Sequence, residues 1–147
     1  MGFIFDRLPG NGGVIPREIT CHLTAHAALT AGTVYTIDHT FTPSSTNGVA
    51  LNSAAAADAA AEGTQWVMAM EDIASGAIGK FLIQGYTTIL INNGTDIDPG
   101  DMLASSATGV VLQAVAGDAI IGIAPVAETG TATPAWFCGT GLGTVHA

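Results

Sequence analysis

The sequence predicts an all-β fold, a single small β-barrel or sandwich, and three observations carry that expectation. Short runs rich in Val, Ile, Thr and aromatic residues recur through most of the chain at a spacing of roughly 8–12 residues. Gly, Pro, Asn and Asp punctuate the gaps between them. No helical periodicity separates the runs, so the βαβ pattern of a parallel sheet is missing. At 147 residues and 14.7 kDa the chain suits one domain with a real core. No repeat occurs at a fixed period.

The elements follow in order. Residues 1–18 are broken by Pro9, Gly10, Asn11, Gly12, Gly13 and Pro16 and read as an extended N-terminal arm. Its apolar residues Phe3, Ile4, Phe5, Leu8 and Ile15 either lie over the chain's own core or dock on a neighbour. The single β domain then runs over 19–147. Ile19, Cys21, Leu23 and Ala25 alternate with Thr20, His22, Thr24 and His26, the pattern of a strand. After a turn at Ala31-Gly32, residues 33–39 (TVYTIDH) are β-branched and aromatic and predict a second strand. The segment 42–64 changes character and reads as an insert. Within it, Ser53 could cap a short Ala-rich helix over 54–62 stopped by Gly63, or the stretch is a loop. Further strands are expected over 66–70, 78–83, 87–92, 102–104, 109–114, 119–125 and 135–138. Turns are expected at Ser75-Gly76, Gln84-Gly85, Asn92-Asn93-Gly94, Asp98-Pro99-Gly100-Asp101, Thr108-Gly109, Gly117-Asp118 and Thr129-Gly130.

Charge narrows the function classes. There are 3 Lys and Arg against 12 Asp and Glu, a net charge of −9. Arg7, Arg17 and Lys80 cannot build the basic patch that neutralises phosphates, so nucleic acid is excluded, and an anionic membrane surface is disfavoured. Mean hydropathy is high at +0.46, yet no apolar run approaches the roughly 20 residues that span a bilayer. The first residues have no basic region followed by a long apolar stretch, so no secretory leader is expected. A chain that is 48% hydrophobic and only 10% charged suggests surface buried in an assembly. The acidity would suit a basic partner surface.

Candidate chemistry is sparse. His22 and His26 would sit about 13 Å apart on one strand face, too far for one metal ion, and with Cys21 they name no fourth zinc ligand. Asp96, Asp98 and Asp101 lack the spacing of a calcium loop and supply what a tight turn needs. Cys21 and Cys138 have no metal or disulfide-framework spacing and read as reduced, half-buried thiols. Val67-Met68-Ala69-Met70 resembles a biotin-attachment hairpin, but Ala69 stands where the reactive lysine would be, leaving the methionines as core filler. Gly139-Thr140-Gly141-Leu142-Gly143 has no helix after it to hold a pyrophosphate. Glu71 and Asp72 are neighbours that a strand would point to opposite sides. No Gly-x-Ser-x-Gly occurs. No catalytic residue, metal or cofactor is expected. Trp66, Trp136, Phe137 and Tyr86 are core candidates, or, if exposed beside polar groups, a carbohydrate-binding face.

The C-terminal half adds a resemblance. It runs from Val67-Met68-Ala69-Met70-Glu71-Asp72 through Ile73-Ala74-Ser75-Gly76-Ala77-Ile78-Gly79-Lys80 to a strand. Next come Ile97-Asp98-Pro99-Gly100-Asp101-Met102-Leu103, Thr108-Gly109-Val110-Val111, Gly117-Asp118-Ala119-Ile120-Ile121-Gly122-Ile123-Ala124 and a closing strand at 135–138. Over about residues 64–140 that order resembles the β-tulip-type head decoration (cement) proteins of tailed bacteriophages. The resemblance implies a protein made in the host cytoplasm that joins the virion on the outer capsid surface. It implies a homotrimer that clamps neighbouring copies of the major capsid protein, with the N-terminal arm reaching to capsid strands. The Ala-rich stretch at 52–62 and the Phe-rich tip depart from the family pattern. The rival expectation is a tail or fibre β-domain that binds a host surface glycan. An enzyme is not expected.

Overall fold

The computed structural model describes residues 5–7, 14–16, 18–25, 27–38, 49–51, 65–94, 96–106, 108–143 and 145. Their regular elements are all strands: β1 (Phe5–Arg7), β2 (Val14–Pro16), β3 (Ile19–Ala25), β4 (Val34–Asp38), β5 (Val49–Leu51) and β6 (Trp66–Ala69), then β7 (Ile78–Ile91), β8 (Met102–Ser105), β9 (Val111–Gln113), β10 (Gly122–Ile123) and β11 (Ala132–Cys138). The expected Ala-rich element at 52–62, and most of the insert 42–64, lie outside the described residues.

β1 and β2 pair with each other, antiparallel, with Phe5 opposite Pro16 and Arg7 opposite Val14. The other nine strands make one sheet in the order β3-β5-β4-β6-β7-β11-β10-β8-β9. β3 also pairs with β7, which closes the first five strands into a ring. From β7 the sheet continues through β11, β10 and β8 to β9. There Val111 forms a parallel bridge with Asn92, just beyond the end of β7. The result is a nearly closed, barrel-like sheet that turns back on β7 from both sides.

Two apolar cores follow from this. One holds Leu23, Leu29, Tyr35, Val67, Ile73 and Phe81. The larger holds Val34, Trp66, Met68, Leu82, Leu90, Leu103, Ile121 and Phe137 among others. Neighbouring residues divide between the two: Val34 and Tyr35, Trp66 and Val67, Leu82 and Phe81. β4, β6 and the first half of β7 are thus a partition with a core on each face. That explains the uninterrupted apolar run Trp66-Val67-Met68-Ala69, every residue of which is buried.

β7 corrects one expectation. A turn at Gln84-Gly85 was expected to separate two strands, yet the strand runs unbroken for 14 residues. It bends at two bulges instead. Ile19 pairs with Gln84 but Thr20 with Leu82, leaving Ile83 as an extra residue. Further on, Thr87 pairs with Ala135 but Leu90 with Thr133, so Thr88 and Ile89 oppose Pro134 alone. A proline has no N–H for a ladder and fits such an interruption. Each extra residue swaps the face of everything after it. Leu82 and Thr87, five positions apart, therefore both reach the larger core, where the Thr87 hydroxyl meets Met68 Sδ at 3.6 Å. Gly85 has φ +144, and a Cβ there would lie 3.1 Å from Glu18 Cα, so the glycine serves a bend and a close approach.

The other turns form as their residues dictate. The Asp101 amide donates to the Asp98 carbonyl at 3.1 Å, and the Asp101 carboxylate accepts the Asp98 N–H at 2.9 Å. Val115 and Asp118 repeat the same device, both bonds at 3.0 Å. The Glu128 carboxylate accepts the amides of Thr129 and Gly130. Asn92 Oδ1 accepts the Gly94 amide at 2.8 Å. β10 is shorter than the 119–125 run suggested, although Ile121 and Ala124 still donate to the carbonyls of Leu103 and Asp101.

Candidate functional site

Of the arm residues, Phe5 lies on β1 and Ile15 on β2, opposite Asp6. Phe3, Ile4 and Leu8 lie outside the described residues, as do His26, His39 and His146. The arm thus carries a short hairpin of its own just before β3.

The remaining polar candidates are scattered. His22 is exposed on β3 and pairs in register with Lys80. The Asp101 carboxylate is taken up by the Asp98 N–H within their turn. Among the described residues no three His, Cys, Asp or Glu side chains come together as metal ligands would. Cys21 and Cys138 are both half-buried free thiols. Burial pushes the Cys21 thiol above its ordinary range. A shallow groove of about 290 Å³ opens between Glu18, Met70, Leu82 and Tyr86. Its lining holds one carboxylate and no histidine, cysteine or lysine.

The two tryptophans separate sharply. Trp66, on the partition strand β6, is only 5% exposed. Trp136 is 37% exposed. In β11, Thr133, Ala135 and Phe137 point inward, which turns Trp136 to the outer face. Its ring lies 4.9 Å from that of Tyr86 on β7, tilted by 53°. Register extends the pair into a row across four strands: Tyr86 opposite Trp136, Trp136 opposite Ile123, and Ile123 opposite Met102. Ile123 and Met102 are 39% and 45% exposed. Inward-facing Phe137, Gly122 and Leu103 occupy the adjacent row.

Sequence reasoning placed Trp66 and Trp136 together as core or sugar-binding candidates and did not find the row. The signal was present only weakly, as an apolar residue at the outward position of each of four strands.

No protein-family profile matches the chain, and no curated protein matches it by sequence. Among solved structures, the chain is similar to the N base of the head fibre gp8.5 of bacteriophage phi29. The TM-score is 0.59 at 13% identity, over 89% of this chain and 100% of that one. The likeness is therefore one of fold, and it spans nearly the whole chain.

Proposed function

We propose that this protein is a structural component of a tailed-phage virion, associated with the head. The observation that carries the reading is the near-full-length likeness of fold to the base of a phage head fibre. More narrowly, it acts as a decoration or cement protein of β-tulip kinship. It binds the outer capsid surface as a homotrimer and bridges copies of the major capsid protein. Phe3, Ile4, Phe5, Leu8 and Ile15 of the arm make the capsid contact, through main-chain pairing and apolar burial.

The chemistry of the chain supports a binding role over a catalytic one. A groove with a single carboxylate offers no acid–base pair. The exposed Trp136 is the one observation that favours the glycan-binding alternative. Beyond Tyr86, whose hydroxyl is the row's one hydrogen-bonding group, the row continues through apolar Ile123 and Met102, whereas a sugar site needs several placed polar partners around the ring.

The test is to mix the purified protein with heads that lack it and to sediment them. Binding that saturates at a fixed ratio to the major capsid protein is expected. Heads that sediment without the protein would contradict the reading.

A further inference from the structure

We infer that the outer face of the β7–β11–β10–β8 sheet, centred on Trp136, is a docking surface distinct from the apolar residues of the arm, for a protein that is apolar at the contact and cationic at its rim. The inference rests on the head-associated reading, under which that protein belongs to the capsid.

Outward positions of a half-solvated antiparallel sheet are ordinarily polar. Here four strands in register place Tyr86, Trp136, Ile123 and Met102 in one unbroken outward row without a charge. Trp and Tyr are the residues that dominate binding energy at interface centres, and Met is enriched there too. Contact between the Tyr86 and Trp136 rings in the unbound chain restricts both before docking, which lowers the ordering cost.

The rim identifies the partner's chemistry. Glu18 packs beside Gly85, next to Tyr86, at one end of the row. At the other end Asp101 directly precedes Met102, with Asp98 in the same turn. Lys80 is the single lysine or arginine in residues 19–147, and it lies six positions from Tyr86 along β7. An apolar stripe with acids at both ends and, among the described residues, no cation beside it complements an apolar patch ringed by Lys or Arg. A second copy is a poor occupant, because it would bring acidic rim to acidic rim between chains of net charge −9.

The test compares full-length variants in head sedimentation. Trp136→Ala is expected to weaken binding about thirtyfold, the effect of losing one interface hot spot. Ile123→Glu, which puts an acid mid-row, should weaken it similarly, and wild-type binding should fall as salt is raised. Ile78→Ala, at an exposed apolar residue eight positions from Tyr86 along β7, should bind as wild type. Wild-type chain that does not bind heads at all removes the head-associated reading itself. Wild-type binding matched by both row variants, or unaffected by salt, overturns only this inference. Row variants that dissociate a homo-oligomer would make the face a contact between copies and would also overturn it. In a Trp66→Phe protein Trp136 is the sole tryptophan, and acrylamide should quench it in the free chain but not on heads. Shielding already present in the free chain would mean that the protein covers its own face, against the inference.

Discussion

Gly32→Ala should be among the most damaging single-atom additions to this fold. Gly32 has φ +78 and is buried where the turn before β4 meets the far end of β7. A Cβ there would overlap the Ile89 carbonyl oxygen and sit 3.2 Å from Ile91 Cγ1. The obstacle is mainly backbone, so the turn must move. Moving it strains two hydrogen bonds, Gly32 N–H to the Ala69 carbonyl at 2.8 Å and Ile91 N–H to the Gly32 carbonyl at 2.9 Å. Alanine at positive φ costs about 1–2 kcal/mol, and each of the two buried bonds left unmade costs about 1–3 kcal/mol, so a loss of about 3–8 kcal/mol is expected. Gly76→Ala is the matched control. Its φ is +76, and nothing lies within 4 Å of the added atom. It should cost about 1–2 kcal/mol, the backbone term alone. Urea unfolding followed by circular dichroism measures both. Equal losses for the two variants would refute the claim that the turn is packed tightly against the far end of β7.

Four other outcomes are expected. Thr133 is fully buried and its hydroxyl has no hydrogen-bond partner, so Thr133→Val should stabilise the fold by about 1 kcal/mol in urea unfolding. Asp101→Ala removes the acceptor of the Asp98 N–H in an exposed turn and should cost about 0.5–1.5 kcal/mol by the same assay. Burial raises the Cys21 thiol in the fold, so its stabilising difference is complete below the ordinary thiol range of about 8.5 and is lost as pH climbs toward the raised folded value. Thermal unfolding of Cys21→Ala should therefore decline less steeply through that alkaline window than wild type. Deleting residues 1–18 should leave one cooperative thermal transition while reducing sedimentation with heads.

The turns were the most legible part of the sequence, because their chemistry is local. Asp98-Pro99-Gly100-Asp101 and Gly117-Asp118 contain the positive-φ glycine and the carboxylate that closes back on the backbone. Strands β3, β4, β6 and β8 were legible from their apolar residues to within about two residues at each end. β7 was not. Its glycine and Gln84 look like a turn in one dimension, and only the pairing of Ile19 with Gln84 and of Thr20 with Leu82 shows a bulge. The division into two cores was also hidden. It depends on β3 returning to β7, a long-range closure that no local pattern encodes. The same limit applies to the aromatic residues. Trp66 and Trp136 have similar sequence surroundings, but β6 is covered on both faces while β11 is covered on one.

Fold, charge and surface point in one direction. A sheet that closes on β7 gives a rigid body from few large side chains. Charged residues are scarce, and those on the described turns of β8–β11 are largely engaged by their own backbone. The apolar row remains on the outside. Such a body is suited to being held by another surface.

The most direct test of the proposed virion role is the copy number of this chain in purified phage particles from the source that carries its gene, by quantitative mass spectrometry against the major capsid protein. A head-associated decoration protein predicts a stoichiometry locked to the icosahedral lattice. A handful of copies per particle would place it on the tail, and absence from particles would contradict a virion role altogether.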